Sequence, residues 1–317
     1  MSTLRLGGMS STQFGEYARW NAVLARKSKV LFVATPKVAC TSLKWALATA
    51  EGTLSSRISG HTEPTIDLTI HDYSVHGLGV LGLVDEAERL EAFTSPDWIR
   101  FCVTRSPYER LVSGWLNRVV FGMPSALSPG LASQFGSERD YGEAFRRFVR
   151  RLAEDRVVSA DGHFAVQAEL LEVDTLPYTH VVDLAGLNDF LEFLRSSGPN
   201  RSGIVLGRSR NPSPKLDIER LYDSDSAAIV DRIYAEDFRR FSYPQRSFAS
   251  EPAPYPIAPN EYSLIEMMRD RADRFAEVFT LVDQQHRQLS LQRGGRYGLN
   301  EVVGAATRRL RRKRAAR

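Results

Sequence analysis

Thr35-Pro36-Lys37-Val38-Ala39-Cys40-Thr41-Ser42 gathers one ammonium, several hydroxyls and a run of backbone N–H groups within eight residues. A short apolar run, residues 30–33, comes before it, and mostly good helix formers follow until Gly52. A strand, a tight turn and a helix start in that order aim free N–H groups and the positive end of a helix dipole at the turn. That is chemistry for holding a phosphate or a similar anion. Lys37 adds a mobile charge, and Thr41 and Ser42 add hydroxyl donors. The loop is not of the G-x-x-x-x-G-K-[ST] kind, because the glycines are absent and the lysine comes early in the turn. This argues against an ordinary kinase or ATPase.

Residues 98–113 repeat the pattern: an apolar strand over 99–103, then Arg105, then a helix start. Ser106 is placed as an N-cap, Pro107 as the first helical residue and Glu109 as the residue that completes an S-x-x-E capping box. Leu111, Val112, Trp115, Leu116 and Val119 form the apolar stripe of the helix. Arg105 stands just before the cap, where a planar guanidinium can hold a phosphate, and Ser113 lies on the helix face of Ser106. Two anion sites at two strand ends suit a nucleotide carrying a 3′-phosphate and a 5′-phosphate chain.

At this point the chain resembles a known family, the carbohydrate-type sulfotransferases that use 3′-phosphoadenosine 5′-phosphosulfate (PAPS), which include the Golgi chondroitin and HNK-1 enzymes. Pro36-Lys37-Val38-Ala39-Cys40-Thr41-Ser42 is similar to the family's 5′-phosphosulfate loop. Arg105-Ser106-Pro107-Tyr108-Glu109-Arg110-Leu111-Val112-Ser113 is similar to its 3′-phosphate motif, R-[DE]-P-x-x-R-L-V-S. His163-Phe164-Ala165-Val166-Gln167 resembles an H-[WF]-x-P-Q segment. Asn211-x-Ser213 and the stretch from Tyr234 to Tyr243 resemble the family's closing motifs. Ser106 replaces the usual acidic residue, and Val166 the usual proline.

The resemblance implies a P-loop-like α/β fold, PAPS as sulfuryl donor without a metal, and a hydroxyl-bearing glycan or glycolipid as acceptor. It assigns donor binding to residues 36–42, Arg105, Ser113, Asn211 and Ser213. Lys37 is expected to stabilise the leaving phosphate. A histidine is expected to take the acceptor's proton, since imidazole titrates near working pH. The spacing upstream of the second motif points to His76, with His71 the close rival and His163 next; His61, His180 and His286 are read as structural. A silent nucleotide- or partner-binding module, and a nucleotide kinase with an atypical loop, are the competing readings.

Strands interleaved with helices predict a parallel sheet flanked by helices, with ligand at the carboxyl ends of the strands. The 317 residues divide into an N-terminal lead (1–27, with a short helix over 13–26), an α/β domain (28–245), a proline-rich linker (246–260), a C-terminal helical appendage (261–303) and a basic tail (304–317). Short helices are expected over 85–93, 141–152 and 187–194, and strands over 180–183 and 203–206. Residues 52–76 and 121–140 read as variable loops that shape the acceptor pocket. Ser263 and Glu266 are read as a second capping box. Ile265, Met268, Ala272, Phe275, Phe279 and Val282 then form a stripe expected to pack on the core or on a second copy of the chain, as a homodimer.

The last eleven residues hold seven basic side chains, and the formal charge of +4 less those seven leaves −3 for the rest. The tail is expected to be disordered and dispensable, or to attach the protein to an anionic membrane or another polyanion. Nucleic acid is not an expected partner. No apolar run approaches ~18 residues, and two cysteines make no disulfide framework, so a cytoplasmic location is expected. The histidines and cysteines have no metal-ligand spacing.

Overall fold

A computed structural model describes residues 14–55, 66–123, 135, 138–155, 161–207 and 214–292. Its elements in chain order are α1 (Glu16–Asn21), β1 (Ala22–Ala25), β2 (Val30–Val33), α2 (Cys40–Glu51), α3 (Tyr73–His76), β3 (Gly79–Val80), α4 (Glu86–Thr94), β4 (Ile99–Thr104), α5 (Pro107–Trp115), α6 (Tyr141–Glu154), α7 (Gln167–Leu171), β5 (His180–Asp183), α8 (Leu187–Ser196), α9 (Ile218–Leu221), α10 (Ser224–Ile233), α11 (Ala235–Phe241) and α12 (Pro259–Gln292). They divide into two compact units. The sheet unit comprises residues 1–62, 70–105 and 167–210, and the helical unit comprises 63–69, 106–166 and 211–317.

The sheet unit holds five strands in the order β3-β1-β2-β4-β5. β2, β4 and β5 are parallel, as expected, with Val33 opposite Cys102 and Thr104 opposite Asp183. β1 is antiparallel to both β2 and β3, so the sheet is mixed. β2 is buried at all four positions and β4 at five of six, which is why both read as continuous apolar runs. Phe32 stacks on Phe101 at 4.8 Å, and Phe101 packs on Phe190 of α8 at 4.9 Å. Burying each such ring is worth roughly 1.5–3 kcal/mol.

Three expectations are corrected here. The helix read over 13–26 ends at Asn21, and residues 22–25, placed in a lead segment, form a fully buried strand of the sheet. The strand read over 203–206 has no ladder partner. The helix of the C-terminal appendage begins at Pro259, so Ser263 lies inside it and caps nothing. Instead Glu261 accepts from the Ala258 N–H at 2.7 Å.

The helical unit packs α5, α6, α10 and α11 around an aromatic core of Tyr108, Trp115, Phe145, Phe148, Phe164 and Tyr222. Its helices obey elementary capping rules. Asp140 caps α6, and Asp223 with Ser226 closes a capping box on α10. The proline-rich stretch is anchored here as well. Tyr255 donates its N–H to Asp140 at 2.5 Å and accepts from the Tyr141 N–H at 2.8 Å, while Ile257 donates to Arg139 C=O at 2.9 Å. On α12, Ile265 and Ala272 are buried as the predicted stripe requires. The side chains of Phe275, Phe279 and Val282 lie outside the described residues, as does the basic tail.

Candidate active site

In the sheet unit the two motifs leave the carboxyl ends of adjacent parallel strands, β2 and β4. This is where an open α/β sheet offers a ligand crevice. The loop after β2 is held at its start. Ala34 donates its N–H to Asn21 C=O at 3.0 Å and accepts from the Tyr17 hydroxyl at 2.8 Å. Lys37 (φ 71°) and Ala39 (φ 64°) then adopt left-handed backbone conformations. Neither is glycine, so each conformation costs on the order of 1 kcal/mol and persists only because the surroundings enforce it.

Ala39 is also the N-cap of α2, and no side chain caps that helix. The first helical bond runs from the Leu43 N–H to Ala39 C=O at 3.0 Å, so the preceding N–H groups at 40–42 have no intrahelical acceptor. The hydroxyl of Thr35 is fully buried without a hydrogen-bond partner. Unused donors at an uncapped helix start and an orphaned hydroxyl behind the same loop fit an anionic group such as a phosphosulfate.

The histidines separate sharply. His71 is exposed, and its Nε2 lies 3.1 Å from the Thr41 hydroxyl, inside the loop's own hydrogen-bond network. His76 is 2% exposed. Its Nδ1 accepts from the Leu78 N–H at 3.0 Å, which fixes the ring as a neutral structural acceptor. Burial, the larger cause, pushes its pKa down to about 3. The expectation that His76 is the base therefore conflicts with the geometry. Spacing along the chain carries no information about burial.

Lys44, which motif reading passed over, is 2% exposed on α2, and burial lowers its pKa. Arg105 is fixed through its backbone. Its N–H donates to Gln167 Oε1 at 3.0 Å, and Gln167 Nε2 donates back to Arg105 C=O at 2.9 Å. Gln167 is fully buried at the start of α7. It is the last residue of the H-x-x-x-Q segment, and that recurring motif is the signal that could have marked it.

In the helical unit the Ser106 side chain makes no cap bond, contrary to the capping-box reading; its carbonyl accepts from the Arg110 N–H at 2.9 Å. Arg110 is 1% exposed and donates to Ala165 C=O at 2.8 Å and Gly162 C=O at 2.7 Å. It ties segment 161–166 to α5. Ser113 is 8% exposed on the same helix. A π-helical turn, Leu116–Val120, follows and carries Arg118, whose Nη2 lies 3.0 Å from His163 Nδ1. Asp161 lies 3.0 Å from the same nitrogen. Asn211 and Ser213 lie outside the described residues. Among the described residues no cluster of His, Cys, Asp and Glu could hold a metal, and no helix is long and apolar enough to cross a membrane.

A sulfotransferase family model matches residues 20–244, which includes both strand-end motifs. The chain belongs to the sulfotransferase family. Carbohydrate sulfotransferase 10 of Danio rerio is 25% identical over 257 residues, covering 70% of this chain and 66% of the relative. The Gallus gallus protein of the same name is 23% identical over 263 residues, covering 75% and 70%. The Homo sapiens protein is 27% identical over 157 residues, covering 47% and 42%. No solved structure matches the chain.

Proposed function

We propose that this family member transfers a sulfuryl group from PAPS to a hydroxyl of a carbohydrate-type acceptor. The observation that carries the reading is the loop over 35–42. It unites left-handed Lys37 and Ala39, the uncapped start of α2 and the exposed His71 at Thr41. Relatives named carbohydrate sulfotransferase 10 support the choice of acceptor class.

PAPS supplies the sulfuryl group and a nucleotide bisphosphate leaving group. The chain's own residues then have separate tasks. The N–H groups opening α2, with the Thr41 and Ser42 hydroxyls, hold the 5′ end of the donor. Lys37 faces the charge that grows on the departing phosphate, an interaction stronger in the transition state than in the ground state. Arg105, its backbone locked by Gln167, reads the 3′-phosphate. His71 takes the proton from the acceptor hydroxyl, a role its exposure allows and the burial of His76 denies.

Calorimetry tests the donor assignment. Adenosine 3′,5′-bisphosphate should bind without magnesium and far more tightly than ATP. Equal affinity for the two, or a magnesium requirement, would favour the kinase reading.

A further inference from the structure

Lys44 stands out among the buried polar groups. It is 2% exposed, and among the described residues neither a carboxylate nor a hydrogen bond neutralises its amine. Buried lysines are rare unless paired, because an isolated ammonium in a dry interior loses its hydration without compensation. The amine therefore escapes the cost by staying neutral or by finding an anion.

Its place in the helix says which anion. Lys44 lies one turn after Cys40, the first residue of α2. Side chains on a helix lean toward its N-terminus, so Lys44 is directed back at the first turn, and its field reaches Cys40. That turn is the uncapped one whose N–H groups await an acceptor, and the orphaned Thr35 hydroxyl lies at the start of the same loop. The titratable groups in the field of Lys44 are Cys40 on its own helix and His76 on α3. β1, also packed on α2, offers only Ala, Val, Leu and Ala. Asp72, the N-cap of α3, accepts from the Ser74 N–H through Oδ1, its Oδ2 is buried without a hydrogen-bond partner, and it is not among the groups acting on Lys44. Glu51, at the far end of α2, is turned to the N–H groups of Lys27 and Ser28. Among the described residues no carboxylate is paired with this amine.

We infer that Lys44 is a proton-coupled anion receptor beneath the loop: neutral when the site is empty, it takes one proton from solvent when the donor's phosphosulfate end arrives. The inference rests on the donor reading above for the identity of the anion, but not for the coupling. The proton moves from the buffer to Lys44 Nζ, no covalent bond changes, and the added positive charge offsets part of the incoming negative charge. Donor affinity is thereby tied to pH. Release of the product nucleotide returns the proton.

The test is calorimetry between pH 7.5 and 9 in two buffers of different ionisation heat, with the last ionisation of pyrophosphate, which falls in this window, measured for the free ligand and subtracted. The probes are adenosine 3′,5′-bisphosphate and, separately, inorganic pyrophosphate. The wild-type protein should take up close to one proton per ligand, and its affinity should fall by up to tenfold per pH unit. Lys44→Met, matched in shape and apolar, should fold, bind more weakly, take up no proton and lose the pH dependence. Lys44→Arg, which stays charged, should bind without proton uptake. Absence of proton uptake with both probes, or uptake that persists in Lys44→Met, would overturn the inference. Pyrophosphate binding with uptake, where the bisphosphate fails to bind, would uphold the inference and overturn the nucleotide reading instead.

Discussion

The two strand-end motifs share one plan and solve it differently. After β2 the backbone itself is the receptor: left-handed residues at 37 and 39, an uncapped helix, and a buried Lys44 with no acid paired to it among the described residues. After β4 the backbone of Arg105 is held on both sides, since Gln167 occupies its N–H and its C=O, and Pro107, which has no N–H, begins the next helix. The first motif is a cradle whose donors wait for a ligand. The second is a rigid post that presents one side chain. A group whose charge changes during reaction belongs in the cradle, where unused donors can follow it. A phosphate that is merely recognised belongs on the post. The comparison predicts turnover effects from the first motif and affinity effects from the second.

The largest effect should come from His71. His71→Ala is expected to lower turnover by roughly 10²–10⁴-fold with little change in nucleotide affinity, and to abolish the acidic limb of the pH–rate profile. His76→Asn should retain most of its activity, because an amide oxygen can still accept from the Leu78 N–H. Steady-state kinetics on the pair decide the matter: an active His71→Ala enzyme beside a dead, folded His76→Asn enzyme reverses the assignment.

Next is Lys37→Ala, expected to cost about 10²–10³-fold in turnover while circular dichroism and melting temperature stay close to wild type. Loss confined to the Michaelis constant would move Lys37 from the transition state to simple binding and weaken the contrast between cradle and post.

Arg105→Ala should instead weaken adenosine 3′,5′-bisphosphate by about 1.5–3 kcal/mol, roughly 10- to 150-fold. Adenosine 5′-phosphosulfate, which lacks the 3′-phosphate, should be almost unaffected. Gln167→Leu should show the same selectivity at smaller size, since it loosens the post without removing the guanidinium. Equal losses for both ligands would show that Arg105 does not read the 3′-phosphate.

The smallest effect concerns stability. His76 is held neutral, with its pKa near 3 in the fold against about 6.5 in an unfolded chain. As pH falls below about 6.5 the unfolded state binds the proton first. The stabilisation is therefore present above that value and is lost progressively down to about pH 3, at up to ~1.4 kcal/mol per pH unit. Denaturant titrations at pH 7, 6 and 5 should show this slope in wild type and its removal in His76→Asn. Parallel slopes in the two proteins would contradict the buried-neutral assignment.

Local signals in the sequence were sound where chemistry and secondary structure coincide. β2 and β4 read correctly because short β-branched and aromatic runs are buried on both faces, and β5 reads as a short strand although only its Val182 is buried. α5 read correctly from its apolar stripe and its Pro107 start, and the helix expected over 141–152 matches α6. β1 did not, because Ala-Val-Leu-Ala follows a helix and has ordinary helix propensity; pairing with both β2 and β3 overrides it. The Ser106 capping box failed because Pro107 and the backbone bond to Arg110 already define the start of α5. The roles of Gln167 and Lys44 were out of reach for different reasons. The partners Arg105 and Gln167 are separated by 62 residues. A lysine in a helix reads as solvated unless its burial is known, and the same blindness to burial favoured His76 over His71.

The most direct measurement of the central claim is transfer itself. The purified protein is incubated with PAPS labelled at sulfur and a panel of hydroxyl-bearing glycans, without added metal. Label in the glycan and released adenosine 3′,5′-bisphosphate are quantified together. The account predicts one nucleotide released per sulfate ester formed, with both lost in Lys37→Ala and His71→Ala. Tight nucleotide binding with no transfer to any glycan in the panel would contradict it and make the protein a silent binding module on a sulfotransferase fold.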